Sequence, residues 1–457
     1  MNATRTLAEY AAQVRFEDLP ANVVLRAKHV IRDSLGCLLG GTNFDPGKHL
    51  TRLLLPMAAD GLATVAGTSR HVTAPLASYI NAQLTNLMDY DDTLEGKALG
   101  HPGATTIPVA LALAEQSRAS GKDFLTAVAV AYDVYTRVAA AGKPTYGRNK
   151  QVRGLATWQG FGAVTAAARI LKLDAEATTR AFGMAALHAP VPFVGKIYEE
   201  RPLWELKNNY GWVALGGVLA ALYASENLPA NHAILDGQTG FWIMAGSDQC
   251  DFSLLTQGLG TEYSILDVSI KPYSSCRHTH SPLDALRSII QAHDLRADDV
   301  QAVHMRGDTK IKVFENYRPS SAVDAEFSLP YITAMLLLRE PTGYGWFDGE
   351  PWNRPAVQQL ADRVQLEVDA EAEAQQAKGS PLNRVSVELS NGRVLQGEAR
   401  FARGHPQNPL SPHELEAKFL GLAERAIGKA RANELAALLD TLEQVSDISK
   451  LSAYLIT

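Results

Sequence analysis

The 457-residue chain carries 43 Lys and Arg against 49 Asp and Glu, a formal charge of −6, with 20% charged and 46% apolar residues. That composition is ordinary for a globular protein; it excludes a disordered chain and a generally basic nucleic-acid surface. Its length allows two or three domains, and Cys37, Cys250 and Cys276 are too few and too far apart for a disulfide framework or a zinc site, which points to a reducing cytoplasm.

Taken in chain order, Arg5, Glu9, Arg15, Glu17 and Asp18 interrupt the N-terminal apolar positions, so that stretch predicts an amphipathic helix without the core of a signal peptide. Pro20 opens a helix in which Val24, Ile31, Leu35, Leu38 and Leu39 share a face, and Gly40-Gly41 closes it. Alanine-rich helices are predicted over residues 74–87, 107–117, 124–141 and 160–171, with Asp174 as the N-cap of the next and residues 204–224 as the last of this half. Strands are hard to find there. The longest apolar run, residues 211–224, falls short of the roughly 20 needed to span a bilayer, so no membrane partner is expected.

Near residue 262 the texture changes. Residues 263–270 and 300–305 alternate, a helix is predicted over 282–292, and 364–368 and 384–389 read as strands. The second of these turns through Asn391-Gly392 into residues 393–399. Ser411-Pro412-His413-Glu414 has the form of a capping box, and helix is predicted from there to the end. The expected fold class is mainly α: a large all-helical domain formed by both chain ends (residues 1–265 and 408–457) with an inserted smaller α+β lid domain (266–407).

Two clusters concentrate the reactive groups. Asp89, Asp91, Asp92 and Glu95 are followed by Gly100-His101-Pro102-Gly103. An acidic run ordinarily sits in water; this one lies between an apolar helix and the start of another, where free N–H groups and a positive dipole suit a substrate carboxylate beside His101. Asp91-Asp92-x-x-Glu95 also resembles the motif by which helical terpene synthases hold magnesium and a diphosphate, but aromatic residues are only 7% and no second metal motif follows. The second cluster, residues 271–280, holds Lys271, Arg277, His278 and His280 without a carboxylate and suits anions, Arg277 as a bidentate donor and Lys271 as a point charge. His278 and His280, two apart, point to opposite sides of an extended segment, so at most one faces a pocket. Lys207 opens the most apolar helix and either snorkels to solvent or faces an anion; Tyr331 opens an apolar helix as a core tyrosine does. Nucleotide-binding glycine motifs and a nucleophile elbow are absent from the sequence, which disfavours redox chemistry, phosphoryl transfer and serine hydrolysis.

Together, Asp89-Tyr90-Asp91-Asp92-Thr93 with His101-Pro102-Gly103, then Lys271-Pro272-Tyr273 with Cys276-Arg277-His278-Thr279-His280, then Phe327-Ser328-Leu329-Pro330-Tyr331 resemble the MmgE/PrpD family in residues and in order. That family contains 2-methylcitrate dehydratase, cis-aconitate decarboxylase and iminodisuccinate epimerase. The resemblance implies a homodimer, a small di- or tricarboxylate substrate, no cofactor and a carbanion formed beside a carboxylate. It implies catalytic roles for His101, Asp89, Lys271 and Tyr331, substrate binding by Thr93 and Lys207, and no metal; Arg277, His278 and His280 join the expected substrate-binding set from the chemistry of their own cluster. His101 is then the proton carrier, Asp89 its orienting partner or a second base, and the lysines the sink for enolate charge. A hydro-lyase acting on a citrate-like hydroxy acid is the first expectation, with a decarboxylase or epimerase second. A metal-dependent diphosphate lyase using Asp91, Asp92 and Glu95 and a non-catalytic carboxylate binder are the readings from other classes. Many family members carry a histidine ahead of the helix that follows residues 153–160; here Trp158 and Gln159 stand there, making that wall bulkier and less basic.

Overall fold

Small residues set how closely the helices approach. A Cβ on Gly217 would come within 2.6 Å of that of Ala163, and one on Gly211 within 2.7 Å of the Tyr79 carbonyl oxygen. Helix Tyr210–Ser225 is thereby seated directly on helices Leu155–Ile170 and Ala74–Asn86. The computed structural model of the chain describes residues 2–153, 155–194, 200–201, 203, 205–376 and 378–456. It is mostly helical, 58% helix against 9% strand, with a small mixed sheet. Among the described residues one helix, Gly121–Ala141, is long and apolar enough to cross a membrane, and 94% of its apolar window is buried among its neighbours.

The predicted helices are present, and those expected over 107–117, 124–141 and 160–171 begin earlier than their apolar periodicity suggests, at Pro102, Gly121 and Leu155. Helix Gly121–Ala141 starts at a capping box in which the Ser120 hydroxyl accepts from the Asp123 N–H and donates to its carboxylate at 2.7 Å. Helix Pro102–Ser117 has His101 at its N-cap, and helix Leu155–Ile170 brings Trp158 and Gln159 onto its first turns. The helix expected over 204–224 begins only at Tyr210, because Lys207 and Asn209 take left-handed φ of 45° and 54° and fold the preceding residues into a turn; Trp204 and Gly154 lie outside the described residues.

Four short strands in the first half went unforeseen: β1 (Asp60–Thr64) pairs with β2 (His71–Val72), and β3 (Val152–Arg153) with β4 (Phe193–Val194). The main sheet comprises β5 (Val300–Gly307), β6 (Val364–Val368), β7 (Asn383–Leu389) and β8 (Val394–Ala399) in the order β6-β5-β7-β8. Strand β5 is parallel to β6 and antiparallel to β7, and Asn391-Gly392 turns β7 into β8 with Gly392 at φ 83°. The alternating stretch 263–270 is not a strand. It buries Tyr263, Ile265, Val268 and Ile270 around a 3₁₀ turn, Ser264–Asp267, and only Ser269 makes a bridge, to Thr93.

The capping box at Ser411 forms as predicted and opens helix Pro412–Ile427, which packs along Ala21–Asn43. Lys418 is buried at that contact, 2.5 Å from the Asp33 carboxylate, and donates to the Tyr90 carbonyl at 2.6 Å. Removing one partner of a buried pair strands the other charge. Lys418→Met is expected to cost about 3–5 kcal/mol of stability, read as a shift in the denaturant midpoint, with much of the loss recovered in Lys418→Met/Asp33→Leu; equal stability of the two variants would contradict the pairing.

Candidate active site

Residues 87–101 connect helix Ala74–Asn86 to helix Pro102–Ser117, and 87–94 are buried throughout, so the carboxylates of Asp89, Asp91 and Asp92 have to find partners in the protein. Asp89 takes a left-handed φ of 45°. Both its carbonyl oxygen and Oδ1 accept from the Lys271 ammonium, at 2.9 and 2.8 Å, and the Lys207 ammonium stands 3.5 Å from the same Oδ1. Lys207 donates in turn to Glu326 Oε2 at 2.7 Å. Lys207 therefore faces inward. Burial opposes the ionised form of Asp89, but the pull of Lys207 and then Lys271 outweighs it and holds this carboxyl well below the usual range. At Glu326 burial wins over Lys207, and its carboxyl is pushed up.

Asp91 is turned the other way. Its Oδ1 accepts from Asn86 Nδ2 at 2.9 Å, Asn86 Oδ1 accepts from Asn208 at 3.1 Å, and Oδ2 lies 3.1 Å from His101 Nδ1 in a bent contact. Asp91, not Asp89, is thus the carboxylate against the His101 ring. The backbone of His101 is gripped as well: its N–H donates to Gln159 Oε1 at 2.9 Å and its carbonyl accepts from Gln159 Nε2 at 2.8 Å. Among the described residues none bonds Nε2, which leaves that nitrogen for a substrate.

The cavity beside His101 has a volume of about 420 Å³. Of the residues singled out from the sequence, Asp89, Thr93, His101, Lys271, Arg277 and His278 line it, and Lys207 stands behind Asp89. His280 and Tyr331 are elsewhere. His280 is buried with Nε2 3.1 Å from the Ser275 carbonyl and Nδ1 3.3 Å from Arg277, and the Tyr331 hydroxyl donates to the Trp346 carbonyl. Arg277 is also less available than its chemistry suggests. Its guanidinium donates to Glu95 at 2.8 Å and to the carbonyls of Arg403 and Ala402 at 2.7 and 3.2 Å, so it ties chain segments together instead of forming an open fork for substrate.

Asp91, Asp92 and Glu95 do not converge on a metal. Asp91 serves His101, Glu95 serves Arg277 and Ser269, and Asp92 accepts from the Gly103 N–H at 2.9 Å and the Tyr132 hydroxyl at 2.7 Å. Asp92 thereby caps the helix start expected to receive a substrate carboxylate. Asp89, Asp91 and His101 do bring ligand atoms within 4.8 Å of one another, but Lys271 and Lys207 already neutralise Asp89. Of the two residues at the histidine-lacking wall, Trp158 lines the cavity, while Gln159 is turned onto the His101 backbone. Glu326 and Asn86 were not picked out beforehand; Glu326 adjoins the Phe327–Tyr331 motif, but a single carboxylate beside an apolar helix carries no signal of its partner.

Residues 5–252 match the MmgE/PrpD N-terminal domain and residues 273–444 the MmgE/PrpD C-terminal domain. The chain belongs to the MmgE/PrpD family. It is 25% identical to a cis-aconitate decarboxylase of Homo sapiens over 99% of this chain and 94% of that protein. It is 23% identical to the cis-aconitate decarboxylase-like protein oryM of Aspergillus oryzae over 99% and 97%, and 22% to a cis-aconitate decarboxylase of Aspergillus terreus over 98% and 94%. The relatives are enzymes of this family, and the match to the C-terminal domain takes in helix Pro412–Ile427 together with the sheet.

Burial pushes Asp92 up from 3.8 to about 7, partly offset by Tyr132. Between those values the folded chain holds a proton that the unfolded chain has released, so this group makes stability fall as pH rises. Asp92→Asn is expected to make the decline measured by denaturation between pH 4 and 7 shallower than in the wild type; an unchanged slope would argue against a protonated Asp92. Gln159→Leu leaves the His101 N–H unpaired, at roughly 1–3 kcal/mol where it remains buried, and leaves its carbonyl with the Ala104 N–H alone, at 3.2 Å; it is expected to lower kcat more than it raises KM.

Proposed function

We propose that the chain is a lyase that forms a carbanion beside a carboxylate of a small di- or tricarboxylate, and that its first reaction is the dehydration of a citrate-like hydroxy acid. The observation that carries this reading is the meeting, at one cavity, of the Asp91-supported imidazole of His101 and the Asp89-held ammonium of Lys271. His101 Nε2 takes the proton on the carbon next to a substrate carboxylate, and the enolate charge that develops falls to Lys271. The hydroxyl on the neighbouring carbon then leaves as water, protonated by the imidazolium, so one C–H and one C–O bond break and one C=C bond and one water form. One proton carrier suffices for this. Thr93, which lines the cavity and whose hydroxyl donates to the Gly100 carbonyl at 3.1 Å, would accept from the substrate hydroxyl. No cofactor enters, residues 266–407 act as a lid over the cavity, and the working unit is a homodimer.

The names of the relatives favour a second reading, decarboxylation of cis-aconitate. The same groups would serve it: a C–C bond breaks, carbon dioxide leaves, and His101 in its acid form protonates the carbanion.

Incubation with 2-methylcitrate, citrate, cis-aconitate and iminodisuccinate, following double-bond absorbance, carbon dioxide and chirality, separates these reactions. Turnover of a hydroxy acid in the presence of EDTA is the expected result, while carbon dioxide from cis-aconitate with no hydroxy acid consumed would decide for the decarboxylase. His101→Ala is expected to lower kcat by about 10²–10⁴ with the circular dichroism unchanged, and Asp91→Asn to lower it by less; wild-type turnover in His101→Ala would remove the central assignment.

A further inference from the structure

Lys271 and Arg277, the cations foreseen for substrate, are each held by a carboxylate, Asp89 and Glu95. Two other cations reach the same cavity from opposite sides. Lys143 follows helix Gly121–Ala141, and Lys310 lies on the 3₁₀ turn Thr309–Phe314 beside the sheet. Their charges act on one another, and with burial this lowers the pKa of Lys143. Among the described residues no carboxylate stands within ion-pair distance of either ammonium; the one bond made is from Lys143 to the Gly96 carbonyl, at 2.5 Å. Asp308, which accepts from the Lys310 backbone N–H at 2.9 Å, and Glu373, which accepts from the Thr309 N–H at 2.8 Å, lie at the same turn, and the Asp308 charge acts on Lys310 without an ion-pair contact to its ammonium.

Neighbouring lysines behave differently. Lys312, on the same turn as Lys310, is 2.8 Å from Glu315 and also donates to the Leu366 carbonyl, and Lys97 is 3.0 Å from Asp267. Two like charges gathered at one cavity without an acidic partner in contact repel each other, and an anion between them relieves that repulsion. His101, Lys143 and Lys310 all line this cavity, whose volume of about 420 Å³ admits a small tricarboxylate.

We propose that Lys143 and Lys310 form a second anion subsite, at the outer end of the cavity, that binds the substrate carboxylate farthest from the reacting carbon. The subsite rests on the polycarboxylate reading above and sharpens it to tricarboxylates. Because one lysine comes from the helical side and the other from the sheet side, the bound carboxylate also bridges the two walls.

Isothermal titration calorimetry with two unreactive acids, tricarballylate and succinate, tests this without requiring turnover. Lys310→Gln and Lys143→Gln are each expected to weaken tricarballylate binding by about three- to tenfold at low salt, with the difference shrinking at high ionic strength. Succinate affinity is expected to change less than about twofold, and Lys310→Arg to bind tricarballylate nearly as the wild type does, since a cation remains. Tricarballylate binding unchanged in the double Gln variant, or an equal loss for both acids, overturns the subsite while leaving the proposed reaction standing. A wild-type protein that binds neither acid overturns the substrate class and the subsite together.

Discussion

A carboxylate buried between two ammoniums is the constraint on which the rest of the site depends. Taking Asp89, Lys207 and Lys271 out of water costs several kcal/mol per ion and is offset only where geometry is close and the remaining donors and acceptors are met. Here that requires both the carboxylate and the carbonyl of Asp89 to face Lys271, which the left-handed turn at this residue permits. The turn fans out the residues that follow. Asp89 meets the lysines, the Tyr90 carbonyl meets Lys418 on the C-terminal helix, Asp91 meets His101, and Asp92 caps the helix that His101 begins. Four consecutive residues thus tie together segments that are far apart in the chain.

The same cluster decides the sign of the field at the substrate. Lys207 and Lys271 carry two positive charges against Asp89, and Glu326, pushed up by burial, withholds part of the second negative charge. Asp91, held below its usual range beside His101, supplies a further negative charge that acts on the same lysines, so a fully ionised Glu326 would turn the cluster net negative, in a setting of low polarisability where that excess counts for more than in water. The burial of Glu326 behind Lys207, away from the cavity wall, therefore keeps negative charge off the site while holding the lysine in place.

Much of the helical half was legible, since alanine-rich periodicity, prolines at helix starts and the Ser411 capping box report on local structure. The stretch 263–270 misled because alternation records which side chains are buried, and a loop wrapped on a core can bury every other residue without a strand partner. Motif order brought most of the site residues to one cavity. It failed for His280 and Tyr331, whose polar atoms are spent on backbone carbonyls, and for the choice between Asp89 and Asp91 beside His101. Two carboxylates two residues apart look alike in a sequence; only the turn at Asp89 separates their directions.

The wall lacking a family histidine bears on the chemistry. Gln159 presents an acceptor oxygen and a two-hydrogen donor on a planar amide: the oxygen accepts from the His101 N–H, and the NH2 donates to the His101 carbonyl and, at 3.2 Å, to the Thr105 hydroxyl. A residue so used carries no proton for the reaction and adds no charge to the cavity. It instead restricts the backbone from which the imidazole projects, while Asp91 restricts the ring. Accurate placement of a proton carrier is worth several kcal/mol of barrier, and in the proposed dehydration one imidazole placed in this way carries both the proton taken from carbon and the proton delivered to the departing oxygen.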